Sequence, residues 1–189
     1  MKGEIIAVAA PSGAGKTTIV KRLLAQFPEL VFSISATTRP KRDTETDGVE
    51  YNFLSEEEFK AKIENDEFIE WEKFYDYYYG TFKSVIDETI NSGNTILLEV
   101  DVKGALSIKR LYPDAHLIYI SPPSYDELVK RLRDRKTESN EDFKKRTERA
   151  KMELSLKNKF DYIIVNENLE KAVIETSVLV KKILKGDKT

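Results

Sequence analysis

Residues 10–17 read Ala10-Pro11-Ser12-Gly13-Ala14-Gly15-Lys16-Thr17, a turn of small residues that ends in a lysine and a threonine. Before it runs Glu4-Ile5-Ile6-Ala7-Val8-Ala9, an apolar, β-leaning segment with the character of a buried strand. After it, the stretch from Thr18 to Gln26 places Ile19, Leu23 and Leu24 on one helical face. Strand, glycine-rich turn, Gly-Lys-Thr and helix form the context that a phosphate-binding loop requires. At such a bend successive backbone N–H groups converge on an anion, and the helix N-terminus adds free donors and the positive end of its dipole. Lys16 then brings a full charge to β- and γ-phosphates, and the Thr17 hydroxyl is a ligand for Mg²⁺. A nucleoside triphosphate site is expected on Ser12, Gly13, Ala14, Gly15, Lys16, Thr17 and Thr18. In the pattern G-x-x-x-x-G-K-[ST] the first glycine is replaced by Ala10. The following Pro11 pushes residue 10 to extended dihedrals, which alanine adopts freely.

Composition bounds the rest. The chain has 189 residues, 40% hydrophobic and 34% charged, which suits one globular domain with insertions. Its net charge of −2 gives no electrostatic case for nucleic acid or an anionic membrane. It has no cysteine, which excludes disulfides and thiolate metal sites and fits a reducing, cytoplasmic compartment. The first apolar run is too short for a signal peptide or a membrane span.

Outward from the loop, residues 31–38 alternate apolar and small polar side chains and read as one half-buried strand. A polar turn over 43–48 leads to a strand at 49–53, and Ser55-Glu56-Glu57-Glu58 opens a helix as a capping box. Residues 68–71 and 77–81 read as two further strands, with Gly80 marking a turn or bulge. The pattern then becomes regular. A helix over 84–92 precedes Thr95-Ile96-Leu97-Leu98-Glu99-Val100-Asp101, a strand apolar on both faces that ends in acid. A helix over 102–111, a strand over 115–120, two helices between 125 and 157, a strand at 162–165 and a helix over 169–184 complete the chain. This alternation predicts a doubly wound α/β parallel sheet with the phosphate loop at one strand's carboxyl end. His116 lies within a strand and reads as a core or sheet-face residue rather than a catalyst. Asn166 and Asn168 follow the last strand, either near the adenine end of a nucleotide or as turn and cap residues.

Several motifs occur in order: Pro11-Ser12-Gly13-Ala14-Gly15-Lys16-Thr17, Ser33-Ile34-Ser35-Ala36-Thr37-Thr38-Arg39-Pro40, Gly48-Val49-Glu50-Tyr51-Asn52-Phe53, Phe68-Ile69-Glu70-Trp71, Tyr78-Tyr79-Gly80-Thr81 and Leu98-Glu99-Val100-Asp101-Val102-Lys103-Gly104. On this set the chain resembles the guanylate kinases, which move a phosphoryl group from ATP to GMP. The resemblance covers essentially the whole sequence. It implies a P-loop NTPase-type core over 1–34, 83–124 and 151–189, an inserted mixed β GMP-binding subdomain over 35–82 and a helical lid over 125–150.

The residue chemistry suits that implication. Arg39 and Arg42 match a dianionic phosphate with fork-shaped, charge-assisted donors, and Tyr51 and Tyr79 add neutral O–H donors. Guanine presents N1–H and N2–H₂ as donors and O6 as acceptor. Glu70 suits the two donors, and the Ser35 and Thr81 hydroxyls suit O6. Adenine at that edge would leave the carboxylate unpaired and so be rejected. By resemblance Arg131, Arg135 and Arg146 close over the ATP phosphates as catalytic residues with Lys16 and Arg39, and Asp101 with Glu99 nearby faces the GMP site and the Mg²⁺ waters. No general base is needed, because the attacking phosphate oxygen is already anionic.

Taken singly, these residues have plainer readings. Arg39, Lys41 and Arg42 make a solvated basic turn, the tyrosines fill a strand core, Glu70 is a surface carboxylate and the later arginines are exposed helix faces. Two other functions stay open beside a guanylate kinase acting on GMP and dGMP. One is a catalytically silent module of that fold that binds phosphopeptides; the other is a ribosyl bisphosphate kinase. The expected partners are ATP and GMP, with no nucleic acid and no membrane, in a monomer or homodimer.

Overall fold

The computed structural model describes residues 2–74, 76–134 and 140–186. Strand β1 (Ile5–Ala9) is buried along all five residues. It divides them by strict alternation: Ile6 and Val8 face one apolar cluster, and Ile5, Ala7 and Ala9 face another. Helix α1 (Lys16–Gln26) lies on the first face, where Ile19 and Leu23 are fully buried. Burial of each such side chain contributes about 1.5–3 kcal/mol, so both elements that flank the loop are firmly held. The helix begins two residues earlier than the periodicity suggests, because Gly15 takes a left-handed conformation and lets the turn start at Lys16.

The chain next forms β2 (Val31–Phe32), then leaves this sheet and enters a second one as β3 (Ala36–Thr37). The single strand expected over 31–38 is therefore two short ones. The Ser33 N–H still donates to Leu97 O in the first sheet, while the Asn52 N–H donates to Ser35 O in the second. Alternation persists across the break because both halves lie on a sheet, so period alone does not reveal the crossing. The expected strand at 49–53 shrinks to β4 (Asn52–Phe53). Its first residues are taken up by a turn in which Glu50 Oε2 accepts from the Thr46 N–H at 2.7 Å.

Helix α2 (Glu56–Glu64) opens with the expected capping box: Ser55 Oγ accepts from the Glu58 N–H, and Glu58 Oε2 accepts from the Ser55 N–H. Strands β5 (Phe68–Phe74) and β6 (Tyr77–Phe82) pair antiparallel. The second sheet has the order β4-β3-β6-β5, parallel between β3 and β4 and antiparallel elsewhere. Gly80 is not a turn. It lies inside β6, paired with Trp71 and Ala36, and a Cβ there would meet Phe59 and Phe68 at 3.0 Å. The aromatic core of this sheet requires the glycine.

Helix α3 (Lys83–Asn91) returns the chain to β7 (Ile96–Val100), which is followed by α4 (Val102–Leu111) and β8 (His116–Ser121). Helices α5 (Tyr125–Asp134) and α6 (Asn140–Ser155), a 3-10 turn (Lys157–Lys159), β9 (Tyr162–Val165) and α7 (Leu169–Leu184) complete the core. The main sheet is parallel with order β2-β7-β1-β8-β9. Helices α1, α5 and α7 bury apolar residues on one face, and α3 and α4 on the other, as the doubly wound reading requires. Chain order reverses beside β1, so its carboxyl end adjoins those of β7 and β8, where open α/β sheets bind ligands. His116 opens β8 half-buried, with Nε2 at 3.4 Å from Glu4 Oε2 and its ring stacked on Tyr162. No described helix is long and apolar enough to cross a membrane.

Candidate active site

The loop after β1 turns on Gly13 and Gly15, with φ of 90° and 92°, while Ala10 is not at positive φ. A side chain at Gly13 would crowd Leu132 and Leu128 of α5, and one at Gly15 would run into the Asn166 amide. Gly15 is the N-cap of α1 and has no side chain to cap it; the first turn carries no acid. Its N–H groups are thus open to an anion.

Asn166 supports the loop from behind. Its Nδ2 donates to Ala14 O at 2.8 Å, its backbone N–H donates to Ser121 O, and its carbonyl accepts from Arg131 Nη1 at 3.1 Å. Asn168 caps α7 by accepting from the Lys171 N–H. Asn168 is thus the helix cap of the second sequence reading, and Asn166 has the further contact with the loop. Asn166→Ala strips the buried Ala14 carbonyl of its donor, which costs about 1–3 kcal/mol and several degrees of Tm. Thermal denaturation and ATP titration check this; an unchanged Tm with unchanged ATP affinity would contradict the support role.

Lys16 Nζ donates to Glu99 Oε1 at 2.9 Å, and the Thr17 hydroxyl donates to the same oxygen. Glu99 is paired in register with Val8 on β1, which brings it beside the loop. A hydroxyl and a carboxylate side by side are hard oxygen donors of the kind Mg²⁺ takes, usually with waters and phosphates completing its shell. Among the described residues no group of three or more His, Cys, Asp or Glu side chains that could hold a metal ion occurs.

A cavity of about 420 Å³ joins the loop to the second sheet. Ser12, Gly13, Gly15, Lys16, Thr17 and Thr18 line it from the loop; Ser35, Tyr51, Glu70 and Tyr79 line it from the inserted sheet; Glu99 and Asp101 come from the end of β7. Glu70 accepts the Thr81 hydroxyl at 2.6 Å, so Thr81 is the carboxylate's donor in this structure. Burial pushes the Glu70 carboxyl up to about 7; the Thr81 hydrogen bond opposes this, Asp101 and Glu72 reinforce it, and Lys16 opposes it.

Arg39 does not line this cavity itself; its guanidinium stands 5.5 Å from the ring centroid of Tyr51, which does. It is held bidentately by Glu45 at 2.7 and 3.0 Å. Glu45 also accepts from the Arg42 backbone N–H, while the Arg42 side chain is exposed. The Arg39 hydrogen bond, followed by the Arg42 N–H, holds the Glu45 carboxyl down at about 2, and the same partner raises Arg39. Tyr79 stands edge-on to Tyr51 at 6.1 Å and adds to the raising of Arg39.

The later arginines separate. Arg131 is held by Glu127 and Asn166 and does not line the cavity. Arg146 lines it, with its guanidinium 5.8 Å from the Phe74 ring. Arg135 falls outside the described residues. Arg149 belongs to the same arginine cluster in the sequence but is not among the three assigned to the ATP phosphates; it lines the cavity and donates to Glu72, Asp101 and Glu153. Burial lowers the Arg149 pKa, but hydrogen bonds and charge from Glu153 and Glu72 outweigh it and the net shift is upward. Asp101 has both oxygens engaged, one by the Gly104 N–H at 2.6 Å and one by Arg149. Glu45, Glu72, Phe74 and Glu153 carry no role in the sequence reading. Only the spacing of 70, 72 and 74 on one strand face, and of 149 and 153 on one helix face, hinted at them.

Fold and site together define a phosphate-loop α/β protein whose loop shares one cavity with an inserted mixed sheet. The sequence profile of the family "Guanylate kinase" matches residues 2–183. A "Guanylate kinase" of Thermotoga maritima is 48% identical over 92% of this chain and 84% of its own length. One of Chlorobium luteolum is 45% identical over 99% of this chain and 95% of its own. The crystal structure of guanylate kinase from Anaplasma phagocytophilum aligns with a TM-score of 0.78 and 28% identity, covering 97% of this chain and 87% of that one. The chain belongs to the guanylate kinase family.

Proposed function

We propose that the chain transfers the γ-phosphoryl group of ATP to GMP, and to dGMP, yielding ADP and the nucleoside diphosphate. The carrying observation is one cavity that joins the Lys16–Thr17 loop to the Glu70–Thr81 pair on a separate sheet. A phosphate oxygen of GMP attacks the γ-phosphorus as the bond to the β–γ bridging oxygen breaks, and ADP leaves with that electron pair. The attacking oxygen is anionic, so no side chain takes a proton; the protein positions the groups and balances charge.

The loop amides and Lys16 hold the triphosphate, and Arg39, Arg42, Tyr51 and Tyr79 take the acceptor phosphate. Glu70 pairs with guanine N1–H and N2–H₂, beside Ser35 and Thr81. Arg131, Arg135 and Arg146 serve the donor phosphates from a lid over 125–150, and residues 35–82 form the acceptor subdomain. Mg²⁺, when bound at Thr17 and Glu99, screens the charge of the β- and γ-phosphate oxygens. The reading carries a cytoplasmic location and a monomer or homodimer.

A coupled assay with GMP, dGMP, AMP and a ribosyl bisphosphate tests it. Turnover is expected with the two guanine nucleotides only. Absence of ADP would support a silent binding module, and preference for the bisphosphate would move the substrate.

The raised Glu70 carboxyl predicts a pH dependence. Guanine donors favour the ionised carboxylate and lower its pKa in the complex. Binding below about pH 7 therefore expels a proton, and GMP affinity falls as pH drops through that value. The groups facing Glu70 are Thr81, Asp101, Glu72 and Lys16. Calorimetry in two buffers of unequal ionisation heat should show proton release that shrinks in Glu70→Gln; the remainder belongs to the GMP phosphate, which titrates near 6. Equal release from both proteins would contradict the assignment.

A further inference from the structure

Strand β5 shows every second residue to the cavity: Glu70, Glu72 and Phe74 line it, whereas Trp71 is 47% exposed. Glu70 has its role in the proposed reading. Glu72 and Phe74 meet helix α6 instead. Arg149 Nη2 donates to Glu72 Oε2 and to Asp101 Oδ2, both at 2.7 Å, and Nε donates to Glu153 Oε1 at 2.8 Å. The same guanidinium stands 4.9 Å from the Phe74 ring centroid, and Arg146 stands 5.8 Å from that ring. One cation thus ties the acceptor strand, the end of β7 and its own helix together.

We infer that Glu72 and Phe74 are positioning residues: they seat the α6 arginines beside the acceptor site, so that GMP and ATP bind with a shared energy carried by β5. The inference rests on the function proposed above and extends it to residues which that reading leaves idle. A β-strand is stiff along its length, and only Trp71 separates Glu70 from Glu72, the next residue on the same face. A purine that fixes Glu70 therefore also fixes the seat of Arg149. Glu72 suits the seat for a second reason. The Arg149 side chain is 21% exposed and that of Glu153 only 3%, so the pair is shielded from water and the placement of each added carboxylate counts. Phe74 supplies a π-face for two guanidinium groups that would otherwise repel each other. Neither residue needs to touch substrate, so both act through the arginines.

The test measures the affinity of a non-hydrolysable ATP analogue with and without saturating GMP. In the wild-type chain GMP is expected to tighten the analogue by about 5-fold or more, the usual range of coupling between sites. Glu72→Gln and Phe74→Leu should each bring that factor close to one. GMP affinity measured alone should stay within about twofold, and, because coupling is reciprocal, GMP affinity measured with the ATP analogue saturating should fall by the same factor that the analogue loses. Phe74→Tyr, which keeps the π-face, should restore the coupling. Thermal midpoints within a few degrees of wild type would exclude a folding effect. Unchanged coupling in Glu72→Gln and Phe74→Leu, or no coupling in the wild type, overturns the inference alone, provided the wild type turns over GMP. A wild type that binds no GMP overturns both readings.

Discussion

Lys16→Ala is expected to lower kcat by about a thousandfold or more while GMP affinity stays within about threefold. The lysine stands at the start of α1 and reaches Glu99 at 2.9 Å. In the proposed reaction its loss removes a full positive charge from beside the transferring group, where charge accumulates on the equatorial oxygens. It also leaves Glu99 facing the triphosphate with only the Thr17 hydroxyl as partner, so repulsion adds to the lost attraction. Lys16→Met keeps the aliphatic stem and should fare no better, since the stem is not the working part. Lys16→Arg should not rescue, because a planar fork differs in reach and shape from a point charge. The GMP contacts come from other elements, which is why acceptor affinity is expected to survive. Single-turnover transfer and GMP calorimetry check the two halves separately. Equal loss of both would show that Lys16 holds the fold or the acceptor instead.

The phosphate loop was legible because its signals are local: an apolar run, two glycines and Gly-Lys-Thr within a few residues. The buried strands β7 and β8 were legible for the same reason, and β7 pointed to Glu99 and Asp101 by ending in acid. The inserted sheet was harder. Strands of two residues, such as β2, β3 and β4, carry too little pattern to show where one sheet ends and another begins. Partnerships were the least legible part. Arg149 and Glu72 lie 77 positions apart, and no local spacing announces such a contact.

The pairings follow one physical rule. Lys16 has Glu99, Arg39 has Glu45, and Arg149 has Glu72, Asp101 and Glu153. A half-buried cation needs a counter-charge, and a carboxylate supplies it. In the proposed reaction, phosphate binding at Lys16 and Arg39 is thus an exchange of partners rather than a simple addition. Each carboxylate also fixes the cation's direction, which a solvated lysine or arginine would lack.

Glu70→Ala is expected to lower kcat/KM for GMP by at least about a hundredfold, with KM for ATP within about threefold. Two hydrogen bonds to a charged acceptor, each worth about 1.5–3 kcal/mol, set that floor. Preference for GMP over AMP should collapse as well, because the unpaired carboxylate that rejects adenine goes with the same change. Glu70→Gln should fall between, since an amide accepts one guanine donor but turns its own N–H toward the other. A second variant reaches the same carboxylate without deleting it. Gly104, in the first turn of α4, has room for no side chain: a Cβ there would stand 2.9 Å from both Glu70 Oε2 and Asp101 Oδ1. Gly104→Ala therefore crowds both the Asp101 carboxylate and the carboxylate proposed to read the base, and alanine otherwise suits a helix better than glycine. It should depress GMP use by about tenfold or more and leave ATP binding intact. Steady-state kinetics with GMP and AMP, read beside ATP-analogue titration, decide the matter. If Glu70→Ala and Gly104→Ala both spare GMP while the wild type prefers it over AMP, the base is read elsewhere in the cavity, and Ser35 on the same lining becomes the residue to test.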